Sequence, residues 1–315
     1  MKFGIEQIDG MVENLLEEKL PYSHSVIVGD NSSGKSLLLK NFITKVEKSS
    51  RVYFIDAVNR NFDVKKISKL DKKPEYKLTI LETRMKEEYF NLVDSFNFFG
   101  TSTERVEMIY TLYEEVVQKL FYKLTGDGFK LISGDVLGEV DFGNGKGLLS
   151  SGYQALMRIL LELVYYEDVV ITREKIENVW VVIDELDEFL SPKYSARIME
   201  FLKVEFPWAK WIVTTHSCDL VSCTSDSNLV ILDNGFCEVL DINDYSSVSE
   251  VQIIFDRLFG SNKLPENEME TTLRRLFNNR INNLWGKEEE GTLEKIQKEQ
   301  LSASQRLILR QIQEW

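Results

Sequence analysis

Gly29-Asp30-Asn31-Ser32-Ser33-Gly34-Lys35-Ser36 follows a short apolar run, Ser25 to Val28, and opens a helix-like run, Leu37 to Phe42. Strand, glycine-bounded loop and helix is the context that a G-x-x-x-x-G-K-[ST] phosphate loop requires. The glycines let the backbone curl until successive N–H groups point inward at phosphate oxygens, and the helix beginning near Lys35 adds the positive end of its dipole. The expected cradle runs from Gly29 through Asp30, Asn31, Ser32, Ser33, Gly34, Lys35 and Ser36 to Leu37. Lys35 is expected to reach the β- and γ-phosphates and the Ser36 hydroxyl to hold Mg²⁺. A bound nucleoside triphosphate follows.

Composition sets the frame around that loop. At 315 residues, 43% hydrophobic and 28% charged, the chain can bury a sizeable core as one large domain or a domain with an appendage. A net charge of −13 argues against a surface that coats nucleic acid, although a local basic groove stays open. Cys218, Cys223 and Cys237 fit neither a disulfide framework nor a CxxC metal site, and read as reduced thiols of a cytoplasmic protein. Met1 to Glu6 lacks the apolar core of a signal peptide, and no apolar run approaches a membrane span.

Along the chain, Lys2 to Ile8 alternates weakly as an opening strand, and Met11 to Leu20 has helical spacing that Pro21 stops. Arg51 to Asp56 reads as a strand. Residues 82–124 read as a helical insertion, with Gln118 facing solvent. Phe129 to Phe142 alternates like a hairpin, and Gly143 to Gly147 reads as a flexible loop. A strongly apolar helix follows over Ala155 to Tyr166. Val179 to Ile183 and Trp211 to Thr215 are strands without alternation, as in a sheet covered on both faces. Asn234-Gly235 between Leu229–Leu232 and Cys237–Leu240 signals a hairpin. The expected class is α/β with a mixed, parallel-rich sheet: a nucleotide domain over 1–245 and a helical C-terminal segment over 246–315.

Hydrolysis of a phosphoanhydride needs metal, charge stabilisation and a positioned water. Asp184, at the end of a buried strand, is placed to hold Mg²⁺; Glu185, next along, can polarise the attacking water. His216, after a second buried strand, can hydrogen-bond the γ-phosphate. His24 has no such context and reads as structural.

This order resembles the ATP-binding-cassette (ABC) superfamily over Lys2 to about Leu240. Gly29 to Ser36 resembles the Walker A motif, Leu149-Ser150-Ser151-Gly152-Tyr153-Gln154 the LSGGQ signature, and Val181 to Glu185 the Walker B motif; His216 falls where the switch histidine falls. The resemblance implies a head-to-tail homodimer, or a higher even-numbered assembly, in which Ser150, Ser151, Gly152 and Gln154 of one copy complete the ATP site of the other. Asp184 to Pro192 resembles the "DEPE-x-x-LHP" run of OLD-, SMC- and RecF-like ATPases of DNA repair and anti-phage defence, with Leu186 for the proline and Ser191 for the usual Asp or His. Residues 37–148 are too short for a long coiled-coil arm. No glutamine stands at the Q-loop, and Asn59 or Arg60 is the expected substitute.

Three functions follow. The first is an ATPase switch controlling a separately encoded nuclease or toxin. The second is a repair ATPase gripping DNA through Lys65, Lys66, Lys69, Lys72 and Lys73. The third is a scaffold that binds ATP without hydrolysing it. A transporter subunit is disfavoured by the missing Q-loop glutamine.

Overall fold

A computed structural model of the chain describes residues 5–68, 79–86, 106–134, 137–233, 236–259 and 285–297, with positions 272, 273, 276, 280, 309, 312 and 313. Contacts divide the chain into two units, Met1–Phe259 and Gly260–Trp315.

The first unit is built on six strands: β1 (Ser25–Gly29), β2 (Val52–Ile55), β6 (Val179–Ile183), β7 (Ala209–Thr214), β8 (Asn228–Asp233) and β9 (Phe236–Asp241). Their order is β2-β6-β7-β1-β8-β9; every pairing is parallel except the final β8–β9 hairpin. The tip of that hairpin, Asn234-Gly235, lies outside the described residues.

Side chains alternate between two cores, because successive Cβ atoms leave a strand on opposite faces. Val26, Val28, Tyr53, Ile55, Val181, Ile183, Trp211 and Val213 belong to one, and Ile27, Phe54, Trp180, Val182 and Ile212 to the other. The first core is closed by α4 (Glu107–Thr125), α5 (Ser151–Tyr166), α6 (Pro192–Glu205), α7 (Cys218–Ser222) and α8 (Val248–Phe259). The second is closed by α1 (Ile5–Leu16), α2 (Lys35–Lys45) and α3 (Thr79–Met85). Covered on both faces, the strands carry apolar runs without alternation, as expected.

Several local expectations change. Residues 5–8 belong to α1 rather than an opening strand, because Ile8, Met11, Val12 and Leu15 form one buried helical face against α2; residues 2–4 lie outside the described part. The expected hairpin is the first half of a meander of β3 (Lys130–Leu131), β4 (Val140–Asp141) and β5 (Lys146–Gly147). The supposed flexible loop is therefore a tight turn, closed by the Phe142 N–H donating to the Gly145 carbonyl at 2.9 Å. Gln118 is half-buried and donates to the Tyr110 hydroxyl at 2.9 Å instead of facing solvent. Of the insertion over 82–124, α3 and α4 are described and 87–105 are not. Helix α8 falls in the first unit, since Val251, Ile254, Phe255 and Leu258 are buried in its core. In the second unit, Leu273, Leu276, Ile296 and Ile312 form a small cluster beside α9 (Lys287–Ile296).

His24 sits just before β1, where its Nδ1 accepts the Trp211 N–H at 3.2 Å. Burial, with Lys203 nearby, lowers its pKa from 6.5 to about 4. The unfolded chain therefore takes up this proton more readily, so the contribution is complete above pH 6.5 and is lost as pH falls toward 4. Discounted for the side chain's partial exposure, the loss is on the order of 1–2 kcal/mol. Urea unfolding at pH 7.5 and 4.5 is expected to show this excess acid loss in the wild type and not in His24→Asn, whose amide oxygen can still accept from Trp211. Equal losses in both proteins would remove the assignment.

Candidate active site

The C-terminal ends of β1, β2, β6 and β7 lie side by side, where open parallel sheets bind their ligands. Strand β1 ends at Gly29, where a Cβ would stand 2.6 Å from the Leu232 carbonyl oxygen. Any side chain there would force β1 and β8 apart. The loop then turns through Ser32 (φ 66°) and Gly34 (φ 102°) into α2. The Ser33 N–H donates to the Asp30 carbonyl at 3.1 Å, and Asn31 N–H to the Asp30 carboxylate at 2.7 Å. Lys35 is buried and folded back over the loop, its Nζ donating to the carbonyls of Gly29 at 2.7 Å and Asp30 at 3.2 Å. Burial lowers its pKa, opposed by Asp184, Glu185 and Asp30. An ammonium surrounded by acids and loop carbonyls is the group an incoming phosphate can draw off.

Strand β6 delivers Asp184 and Glu185, and β7 locks them. The Thr214 hydroxyl donates to Asp184 Oδ1 at 2.6 Å and accepts the Glu185 N–H at 2.7 Å. Leu186 N–H donates to the Thr214 carbonyl at 3.0 Å. Glu185 is thereby held in the left-handed region, φ 51°, which non-glycine residues seldom adopt. Its carboxylate lies 3.8 Å from His216 Nε2. Burial, then Asp184 and Glu188, raises the Glu185 pKa, while burial and Lys35 lower that of His216. A carboxylate with raised proton affinity beside a neutral imidazole is suited to take a proton from water.

Ser36 and Asp184 line one cavity of about 320 Å³, together with Leu37, Leu39, Lys40, Phe54, Arg84 and Met85. No group of three His, Cys, Asp or Glu ligands is found among the described residues. One hydroxyl and one carboxylate, both hard oxygen donors, suit Mg²⁺ that keeps waters and substrate phosphate as its other ligands.

The signature residues lie elsewhere in the same chain. Ser150 caps α5, its hydroxyl accepting the Tyr153 N–H at 3.2 Å. Ser150 and Ser151 are exposed at the helix N-terminus. A Cβ on Gly152 would stand 2.9 Å from the Phe189 carbonyl oxygen, so glycine lets α5 start against the turn after the acids. Gln154 donates to the Leu149 carbonyl at 2.9 Å. Ser151 and Gln154 share cavities with the segment Val58 to Lys65, whereas the cavity beside the phosphate loop takes in Ser36, Leu37 and Asp184.

One sheet edge therefore holds phosphate loop, paired acids and histidine, with a capped serine-glycine helix entering from the opposite face. The chain has a mixed α/β fold whose mostly parallel six-stranded sheet carries that loop at the C-terminal ends of its strands. No protein-family model matches it, and comparison with curated proteins finds no match. Among solved structures it is similar to an SMC head domain from Thermotoga maritima, with 16% identity, TM-score 0.36, and coverage of 70% of this chain and 90% of that one. CbiO1 from Clostridium perfringens, part of an ABC transporter complex, gives 15% identity, TM-score 0.39, and coverage of 75% and 84%. An SMC head bound to the C-terminal winged-helix domain of ScpA gives 18% identity and TM-score 0.30; the match spans 45% of this chain and 46% of that chain. These likenesses are partial, and the fold is described from the strand order above.

Neither expected Q-loop substitute is turned toward the phosphate loop. Asn59 spends its amide on Asp56 Oδ2 at 2.7 Å, and Arg60 is buried against the backbone after β6. Sequence reasoning also passed over Thr214, although a hydroxyl ending an apolar strand beside the acids was a usable signal. Arg84 gave no signal: it reaches the site from an insertion helix, across the end of β2.

Proposed function

We propose that this chain is an ATP-binding, ATP-hydrolysing switch whose two signature-completed sites form when two copies close head to tail. The observation that carries the reading is the separation within one chain. Lys35, Ser36, Asp184, Glu185 and His216 gather at one sheet edge, and the capped N-terminus of α5 lies with other partners. A helix N-terminus with exposed hydroxyls is an anion cradle, and a second copy supplies the phosphate that it lacks in cis.

In this reading the loop N–H groups and Lys35 hold the β- and γ-phosphates. Ser36 and Asp184 would hold Mg²⁺, which when bound neutralises charge on the transferring phosphoryl group. Glu185 accepts a proton from the attacking water, and neutral His216 orients at the γ-phosphate edge. Thr214 fixes both acids at once. Lys35→Ala is expected to weaken ATP binding by about 100-fold or more, since a buried cation opposite phosphate is lost; titration with a fluorescent ATP analogue measures it. Binding within twofold of wild type would take Lys35 out of the site.

Control of a separately encoded nuclease or toxin, and a place in anti-phage defence, are supported by the resemblance of Asp184 to Pro192 alone. The cytoplasm as location is supported by the three free cysteines. No helix among the described residues is long and apolar enough to cross a membrane. Direct DNA grip has less support: Lys66 is paired with Asp63 at 3.1 Å, the Lys65 stem packs at Gly138, and Lys69, Lys72 and Lys73 lie outside the described residues. A passive scaffold is disfavoured by the poised Glu185–His216 pair.

The test is solution mass with and without ATP and Mg²⁺, with phosphate release recorded alongside. ATP-dependent doubling of mass with turnover is expected. A fixed assembly, indifferent to ATP and without turnover, would put the scaffold reading first. A DNA affinity falling steeply with salt would revive the DNA reading.

A further inference from the structure

We infer that Arg60 is a positioning residue for Glu185, clamping the Asp184–Glu185 backbone from the side opposite Thr214. The inference rests on the ATPase reading for its consequence in turnover, and on geometry alone for the clamp. Arg60 is 2% exposed, and its NH2 group donates to the Asp184 carbonyl at 2.8 Å and toward the Glu185 carbonyl at 3.4 Å. These carbonyls flank the residue held at φ 51°. A left-handed glutamate persists only where its surroundings over-determine it. Thr214 grips the Glu185 N–H and the Asp184 carboxylate; Arg60 grips the two carbonyls.

The clamp is itself seated by buried charge. Asp56, at the end of β2, accepts from Val58 N–H at 3.1 Å, Asn59 N–H at 2.7 Å and the Asn59 amide at 2.7 Å, which shapes the turn that presents Arg60. Arg84 Nε lies 3.4 Å from Asp56, while its NH1 and NH2 groups donate one to each Glu162 oxygen at 2.9 Å. Glu162 lies on α5, the helix that begins at the signature. A continuous set of buried contacts thus joins the signature helix, through Arg84 and Asp56, to the turn that carries Arg60.

Arg60 is also incompletely satisfied. Its Nε and NH1 are buried with no hydrogen-bond partner among the described residues. Unmade donor bonds on a buried guanidinium are costly and call for a reason. Arg60 lines a cavity of about 170 Å³ with Val58, Asn61, Ser151, Gln154 and Phe189, so the first turn of α5 and the clamp share one space. A shift of α5 within that space changes what surrounds Arg60, and through it the hold on Glu185.

Two variants and two readouts test this on the full chain. Hydrogen exchange without nucleotide reports the Glu185 and Leu186 amides, both bonded to Thr214. Arg60→Met is expected to speed their exchange by about tenfold or more while the interiors of β1 and β6 stay protected. Arg60→Lys, able to hold one carbonyl, is expected to fall between, and it serves alone if Arg60→Met does not fold. In steady-state assays, Arg60→Met is expected to lower kcat by about 100-fold with KM for ATP within about threefold, the pattern of a displaced reacting group. In a Glu185→Gln background the same change is expected to alter residual turnover by less than about twofold, because its route runs through Glu185. A merely structural role would lower both backgrounds alike. Unchanged exchange in the folded variants overturns the clamp, whatever happens to turnover. Faster exchange in Arg60→Met, alongside a wild type that never hydrolyses ATP, keeps the clamp and overturns the ATPase reading instead.

Discussion

Glu185→Gln is expected to lower phosphate release by about 10³-fold, within the usual range for a lost general base, while leaving ATP binding intact. The amide keeps the shape and the backbone bonds of Glu185, including its N–H to Thr214 at 2.7 Å, but has no proton affinity to offer water. Hydrolysis is what reopens the proposed pair, so the variant is expected to accumulate as an ATP-bound dimer or higher even-numbered assembly. Light-scattering mass after incubation with ATP and Mg²⁺ reads this directly. A Glu185→Gln protein that turns over within tenfold of wild type would show that another group activates the water. One that loses turnover yet stays at its nucleotide-free mass would separate hydrolysis from assembly, and Ser150, Ser151 and Gly152 would lose their assigned part across the dimer.

The largest effect on stability is expected at Glu162→Gln. Glu162 is fully buried on α5, taking two hydrogen bonds from Arg84, one from Tyr53 at 2.7 Å and one from Arg158. Burial alone would raise its pKa; Arg84 and Arg158 outweigh burial and hold it below the ordinary value. Removing its charge leaves two buried guanidinium groups short of a counter-ion. Loss of one partner from a buried ion set costs about 3–5 kcal/mol. Urea unfolding followed by tryptophan fluorescence measures the shift, and a loss below about 1 kcal/mol would show that water or rearrangement absorbs the imbalance. Replacing Arg84, Arg158 and Glu162 together by Met, Met and Leu is expected to regain part of that stability, because the charges around Glu162 are removed together while buried Asp56 still loses its partner Arg84. The triple variant is nevertheless expected to hydrolyse ATP slowly, since Asp56 loses Arg84.

Much of the site was legible because its chemistry is local in sequence. A phosphate loop needs its glycines, lysine and serine within eight positions, and a strand that must end in two acids writes both apolar run and acids contiguously. The two-sided sheet was equally legible, since strands covered on both faces cannot alternate. Where a residue's role is set by a neighbour far along the chain, the reading ran short. Arg60 looked like a phosphate sensor until the carbonyls of Asp184 and Glu185 were found on its guanidinium. Ile5 to Ile8 looked like a strand because a few alternating residues cannot be told from the first turn of an amphipathic helix; packing against α2 decided it.

By itself, then, the sequence determined a glycine-bounded strand-loop-helix of the phosphate-loop pattern, an acid pair ending a buried strand, a histidine ending another, and the two-layered burial of one parallel-rich sheet. Each follows from short-range rules: backbone freedom at glycine, helix dipoles, and apolar periodicity. Only the tertiary structure decided that Thr214 and Arg60 hold the acids from two sides, that buried Glu162, Arg84 and Asp56 join the signature helix to that hold, and that the phosphate loop and the signature have different neighbours within one chain. Hydrogen bonds and ion pairs between residues far apart along the chain carry no periodicity and no spacing; they exist once the strands are side by side.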